Sequence, residues 1–320
     1  MIIEDVFHKI VGQDAAKRKL NRLLKSYKET GIVPNMMFVA PKGTAKTFLA
    51  QEFRHGLIRR EGDDAGKKPK PIVNVNCSTL KSVKQFFNNL ILQYVSDKEV
   101  TVLFDEASEL PKDVTMALLT ILQPNPTNKN SFSYDDYTVD FDFSRQTFLF
   151  ATSEPHKVFH ALTDRLERID LEDYTHSQLA EIIRRNLPLI QFEDGVLENQ
   201  VSTVLRGNAR AAQKMANDIR SYLGKSQTFF NEDWNKMKME LGINEFGLTP
   251  LEIQVLHTLE QHKETSLTRL SAVTGMSKES LQKDVEMFLQ RLDLMQITTL
   301  GRALTGKGQD YLKSLKGAAA

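Results

Sequence analysis

At 320 residues the chain is long for one domain and comfortable for two or three, and its 41% hydrophobic and 26% charged content is that of an ordinary globular protein. No stretch approaches the ~20 apolar residues of a membrane span, and the N-terminus lacks a basic segment ahead of an apolar core. The one cysteine, Cys77, excludes an internal disulfide and fits a reducing cytoplasm, while a net charge of +1 leaves any nucleic-acid binding to a local patch.

Residues 14–30 have helical spacing, with Ala15, Leu20, Leu23 and Leu24 on one face and lysines opposite. The apolar run 36–39 predicts a strand, followed by a loop and a helix over 47–59. Residues 61–71, rich in Gly, Lys and Pro, read as an exposed loop. A strand at 72–75, a helix over 81–92, a compact apolar run at 99–104 and a helix over 116–122 follow. Residues 124–143 hold Pro, Asn, Ser, Asp and aromatics, and alternation over 134–143 predicts a hairpin before a strand at 147–151. Strands alternating with helices imply a parallel sheet covered by helices on both faces.

After Asp170 three helical segments, 177–185, 196–205 and 209–223, have no strand between them and predict a small helical domain. Short helices at 249–261, 267–274 and 278–291 then precede two strands flanking a turn at 299–302. Helix, helix-turn-helix and hairpin is the order of a winged helix.

The chemistry starts at Ala40-Pro41-Lys42-Gly43-Thr44-Ala45-Lys46-Thr47, between a strand and a helix that carries Phe48 in its first turn. A phosphate loop needs backbone N–H groups around the polyphosphate, a lysine for its outer oxygens and a hydroxyl for Mg²⁺. Lys46 and Thr47 have the types and spacing, and Gly43 supplies flexibility. Ala40 and Ala45 stand where the pattern has glycine; a methyl at Ala45 is tolerable in an α-like backbone. About sixty residues on, the strand ending Phe104-Asp105-Glu106 offers Asp105 to the metal and Glu106 to the attacking water. The order and spacing of these two elements set them apart from a chance loop and a strand that happens to end in acids.

With these motifs in place the chain resembles the AAA+ ATPases and, within them, the RuvB motors of Holliday-junction branch migration. The resemblance runs over nearly the whole chain. Ile10-Val11-Gly12-Gln13 is similar to the motif that covers the adenine, and Tyr174 to a tyrosine near the nucleotide. Ala151-Thr152-Ser153 is similar to sensor 1, with Ser153 in the usual place and Thr152 as second choice. Gly207-Asn208-Ala209-Arg210 is similar to sensor 2, in which Arg210 reaches the γ-phosphate. Each has a blander counterpart: a serine after a strand is usually a cap, and an isolated Gly-x-x-Arg is more often a helix start with a solvated arginine. The resemblance implies an α/β AAA+ P-loop domain over 1–172, a small helical lid over 173–244 and a winged-helix domain over 245–316. It also implies ATP or ADP with Mg²⁺ and a homo-oligomeric, hexameric ring. Branched or double-stranded DNA is the implied substrate, with a protein partner met at the hairpin 124–143.

The pattern departs at two places. Thr163 stands where RuvB-like chains carry the arginine finger, and Arg165 keeps the position that clamp loaders use; Arg168 is a weaker candidate. The wing, Ile297 to Ala303, holds Arg302 as its one cation, with Lys307 nearby, where several basic residues are expected for DNA phosphates. Arg269, Lys278 and Lys283 of the helix-turn-helix are further candidates for phosphates. Tyr134, Tyr137 and Phe141 are spaced either to present aromatics or to pack the hairpin on its own domain. These departures keep a second reading open: a nucleotide-gated adaptor or loader that recruits a protein to DNA with slow turnover.

Overall fold

The apolar runs become strands because both of their faces are covered. Along β1 (Met36–Val39), Met37 and Val39 enter one core while Met36 and Phe38 enter the other. The same alternation divides β3 (Thr101–Asp105) and β6 (Thr147–Thr152): Val102, Phe104, Phe148 and Phe150 point one way, Leu103, Leu149 and Ala151 the other. Side chains of period two buried on both faces give the near-continuous hydrophobic runs of a covered parallel sheet.

The computed structural model describes residues 6–123, 129–134, 137–143, 145–244 and 246–318, with the backbone alone over 129–134, 137–142 and 316–318. By contacts the chain divides into two units, Met1–Phe229 and Phe230–Ala320. In the first, the strand order is β2-β3-β6-β1-β7, all parallel, with β2 at Ile72–Asn76 and β7 at Glu167–Asp170. Helices α1 (Asp14–Thr30) and α2 (Lys46–His55) supply Leu20, Leu24, Tyr27, Leu49 and Phe53 to one core. On the other face lie α3 (Val83–Phe86), its π-wound continuation Phe87–Val95, and α4 (Lys112–Ile121), which bring Phe86, Phe87, Ile91, Val114 and Leu118. Phe104 and Phe150 stack there at 4.9 Å between ring centres, so this core is anchored by aromatics on neighbouring strands.

Strand β7 was not predicted. Its sequence, Glu-Arg-Ile-Asp, buries only Ile169, because β7 is the sheet's edge. Helix α2 stops at His55 before Gly56, short of the predicted 59. The hairpin is present as β4 (Lys129–Tyr134) and β5 (Tyr137–Asp142), antiparallel in register from Lys129 with Asp142 to Tyr134 with Tyr137. The side-chain readings at Tyr134, Tyr137 and Phe141, and residues 124–128, lie outside the described residues.

A short helix α5 (His160–Thr163) precedes β7. Beyond it, α6 (His176–Asn186) opens with a reciprocal capping box between Thr175 and Gln178. Helix α7 (Ala209–Leu223) buries Ala209, Ala212, Met215, Ala216 and Ile219 along one stripe. The expectation of no strand in this region is corrected: two-residue strands β8 (Gln191–Phe192) and β9 (Thr228–Phe229) pair in parallel across it. They are too short to leave a periodic signal.

In the second unit α8 (Asn231–Glu240) and α9 (Pro250–His262) precede β10 (Glu264–Thr265) and α10 (Leu267–Thr274). Helix α9 starts at a Thr249–Glu252 capping box. The recognition-helix position runs from α11 (Lys278–Ser280) through a π-wound stretch into α12 (Met287–Arg291). Strands β11 (Met295–Ile297) and β12 (Arg302–Leu304) form the wing, β10 completes a three-stranded sheet, and α13 (Gly306–Ala318) closes the chain. Val255, Leu256, Leu270, Leu281, Leu289 and Leu304 share its core.

Candidate nucleotide-binding site

Three strands of the first sheet end side by side in polar residues, the position at which open α/β sheets bind ligands. The loop after β1 doubles back through two left-handed residues, Gly43 at φ +83° and Ala45 at φ +66°. The Ala45 methyl thus sits in the left-handed region, which costs an L-residue roughly 1–2 kcal/mol. Ala45 is the N-cap of α2 and offers no side-chain cap, which leaves the first-turn N–H groups to a ligand. Buried Thr44 braces the turn through Oγ1 to the Pro41 carbonyl at 2.7 Å.

Lys46 Nζ donates to the carbonyls of Ala40 and Pro41, both at 2.9 Å. Burial pushes its pKa down, aided by Arg210 and Lys42 and opposed by Asp105 and Glu106. Thr47 Oγ1 donates to Asp105 Oδ2 at 2.9 Å, joining the start of α2 to the end of β3. Thr47 and Asp105 thus present the adjacent hard oxygen donors that Mg²⁺ takes alongside phosphate and water. Glu106 follows in a left-handed conformation, φ +55°, with its N–H on Asp105 Oδ1 at 3.0 Å; the flip lets two adjacent carboxylates face the same cleft.

That cleft measures about 270 Å³ and gathers Lys42, Gly43, Lys46, Thr47, Asp105, Glu106 and Ser153. Arg210 and Gln213, three residues apart on α7, line its far side. Thr152 is buried and its hydroxyl accepts from the Glu154 N–H at 3.0 Å, so Ser153 is the less committed hydroxyl. Gln213 was missed in the sequence; its signal was the three-residue offset from Arg210.

A second, smaller cavity of about 80 Å³ adjoins the cleft and is lined by Ile10, Val11, Phe48, Tyr174, Ile182 and Asn186. Ala45, Phe48, Ala209 and Gln213 line both cavities, so a ligand with a ring and a polyphosphate would pass these four side chains. Tyr174 is buried, which raises the pKa of its phenol, while a hydrogen bond with the Gln13 side chain opposes that rise. Gln13 also exchanges hydrogen bonds with the backbone of Glu172, Nε2 to O at 2.8 Å and N to Oε1 at 3.0 Å. The Gly12-Gln13 turn therefore holds the segment that leads into α6.

The finger candidates lie away from this cleft in their own chain. Arg165 is half-buried, with Nη1 donating to the Ala161 carbonyl at 2.6 Å and Nε buried with no partner among the described residues. Thr163 returns its hydroxyl to the His160 carbonyl, and exposed Arg168 pairs with Asp170 at 2.7 Å.

The wing cations both find partners within their own unit. Arg302 donates to both carboxylate oxygens of buried Glu286, at 2.8 and 3.1 Å, and only 14% of its side chain is exposed. Lys307 Nζ donates to the Leu292 carbonyl at 2.8 Å and lies 5.6 Å from the centre of the Phe246 ring. Both cations are thus engaged inside their own unit, Arg302 neutralising a buried carboxylate while Lys307 stays exposed. The turn between the wing strands exposes Leu300 instead.

A P-loop joined to an acidic strand end, a polar residue on the neighbouring strand and an arginine from a following helical lid define the AAA+ class of P-loop proteins. Within that class the chain is RuvB-like. Residues 245–313 match the RuvB C-terminal winged helix domain. The Holliday junction branch migration complex subunit RuvB of Neorickettsia sennetsu is 23% identical, over 97% of this chain and 92% of the relative. The protein of the same description from Mycoplasmopsis pulmonis is 22% identical, over 97% and 96%. The solved structure of the Thermotoga maritima RuvB Holliday junction branch migration motor matches with a TM-score of 0.76 at 22% identity, covering 95% of each chain. At that identity the structural likeness speaks for the fold.

Proposed function

We propose that the chain is a Mg·ATP-hydrolysing motor that assembles into a homo-oligomeric, hexameric ring and remodels branched or double-stranded DNA, as in recombination and repair. The observation that carries this reading is the single cleft holding Lys46, Thr47, Asp105, Glu106, Ser153 and Arg210, with a second, smaller cavity beside it that mixes Ile10, Val11, Phe48 and Tyr174 with polar side chains. In it Lys46 and the loop N–H groups bind the phosphates, and Thr47 with Asp105 holds Mg²⁺, which supplies charge neutralisation on the phosphate oxygens. Glu106 orients and deprotonates the water, Ser153 and Arg210 contact the γ-phosphate, and Ile10, Val11 and Tyr174 receive the base. Arg165 acts from the neighbouring subunit. We assign 1–172 to the AAA+ domain, 173–244 to the lid and 245–316 to the winged helix, with the hairpin 124–143 as the meeting place for a protein partner. Among the described residues no helix is long and apolar enough to cross a membrane, and a buried free thiol at Cys77 fits a cytoplasmic setting.

A second reading, a nucleotide-gated adaptor that recruits a protein to DNA with slow turnover, is favoured by one specific observation. The wing has its arginine tied to Glu286 and an exposed leucine at its tip. The deciding experiment is ATP hydrolysis with and without four-way-junction DNA, a Glu106→Gln control, and a sizing run in ATP. Junction-stimulated turnover that the control abolishes, from a ring-sized particle, supports the motor. Turnover indifferent to DNA removes the motor reading and favours the adaptor.

A further inference from the structure

Of the two residues before α7, Gly207 meets the 173–174 segment and Asn208 meets the P-loop. Gly207, at φ +69°, accepts the Tyr174 N–H on its carbonyl at 3.1 Å, and a Cβ there would lie 3.0 Å from the Asp173 Cβ. Asn208 follows in an extended conformation as the N-cap of α7, with Oδ1 accepting the Ala211 N–H at 3.1 Å. Its Nδ2 turns the other way and donates to the Lys42 carbonyl at 3.2 Å. Beside it the Arg210 N–H donates to the Gly43 carbonyl at 3.3 Å. A Cβ on Gly43 would come within 2.2 Å of the Asn208 amide oxygen, so loop and amide are packed with no space between them.

Capping alone does not call for asparagine. Serine, threonine and aspartate cap as well, since a cap needs only an acceptor. An amide carries acceptor and donor on one planar group, and here the acceptor faces the helix while the donor faces the P-loop. Arg210 lies two residues along the same helix start and lines the cleft. Whatever sets the distance between Lys42 and the start of α7 therefore sets where the guanidinium stands over the phosphates.

We propose that Asn208 is a positioning residue: its side-chain amide clamps the Lys42 carbonyl to the N-terminus of α7 and so registers Arg210 against the γ-phosphate. The proposal rests on the nucleotide-binding reading above. It makes the lid respond to P-loop occupancy, because a change in the loop at Lys42 and Gly43 is transmitted to α7 by two hydrogen bonds and to the 172–174 segment through Gly207.

The test uses the full chain carrying Glu106→Gln to block hydrolysis, with the affinities for mant-ADP and ATPγS measured by titration in Mg²⁺. Asn208→Ser keeps the cap but cannot reach Lys42. It is expected to lower the preference for ATPγS over ADP by about threefold to tenfold, the worth of one net hydrogen bond, while ADP affinity and Tm stay near the parent's. Asn208→Asp, which caps and lacks the donor, is expected to lose the preference too and serves if the serine variant folds poorly. In an Arg210→Ala background Asn208→Ser should add nothing, because both act through one guanidinium. An undiminished preference in the serine variant, or losses that add in the double variant, overturns the role of Asn208 and leaves the nucleotide-binding reading intact. A parent that binds neither nucleotide removes both.

Discussion

Ala45 shows how one side chain is set against its backbone. The loop needs a left-handed residue there to bring Lys46 and Thr47 round to the cleft, and the chain supplies a methyl-bearing one at φ +66°. Glycine would remove roughly 1–2 kcal/mol of strain and give back part of it as freedom in the unfolded chain, about 0.4–1 kcal/mol. Ala45→Gly is therefore expected to stabilise the protein by up to about 1 kcal/mol, a rise in Tm of roughly 2–4 °C by calorimetry. Ala45→Val should lower it, because a β-branched residue is a worse left-handed residue than alanine. A fall in Tm for the glycine variant would show that the alanine is unstrained.

At the scale of elements, two buried ions hold neighbouring pieces together. Lys70, 3% exposed at the foot of β2, donates to the Arg145 carbonyl at 2.8 Å and the Thr147 hydroxyl at 3.4 Å, 5.3 Å from the Tyr27 ring centre. Burial pushes its pKa down to about 8, with Glu99 opposing and Arg60 assisting. Between that value and the ordinary 10.5 the unfolded chain holds the extra proton, so stability rises with pH, by up to about 1.4 kcal/mol per unit. Tyr27 works against this above its ordinary value of 10.0: burial raises the phenol to about 12, the unfolded chain loses its proton first, and stability falls. Urea unfolding should therefore grow harder from pH 8 to 9 and then flatten and fall, because burial also raises the Cys77 thiol above its ordinary 9.0 and the unfolded chain loses that proton first; Lys70→Met should remove the rise. A flat profile in the parent chain sinks this account.

The wing pair is the second case. Removing Arg302 leaves the Glu286 carboxylate buried and alone, which costs about 3–5 kcal/mol. Thermal unfolding followed by circular dichroism reads the effect on the winged helix. Arg302→Ala should shift the transition down strongly, whereas Arg302→Met with Glu286→Met should recover most of it, because an apolar pair needs no compensation. A silent Arg302→Ala would return the arginine to the solvent and to DNA. In the sequence Arg302 stood out as a lone cation in a turn; nothing in the spacing shows that Glu286, sixteen residues earlier, points at it.

At the scale of the whole molecule, the arginine at 165 has no role within its own cleft. Under the ring reading, Arg165→Ala should reduce turnover by roughly 10³-fold or more without loss of nucleotide affinity. Mixing Arg165→Ala subunits with Lys46→Ala subunits should then restore part of it. Each kind supplies what the other lacks, one a nucleotide and the other a finger. Mixed rings with no recovered turnover would exclude action between subunits.

The sequence by itself determined the sheet's buried strands, the P-loop, the acidic strand end and the lid arginine, because each is written locally: a period, a motif or an element boundary in a few adjacent residues. Strand β7 escaped because at a sheet edge only Ile169 is buried. Helix α13, which opens Gly306-Lys307-Gly308, was not predicted either, because glycine is a weak helix former. Tertiary structure alone decided that Ala45 is left-handed, that Asn208 grips the P-loop 166 residues away, and that Arg302 faces Glu286 rather than solvent. These are pairings between distant segments, and a side chain's type states which bonds it can make but not which partner the fold brings within 3 Å of it.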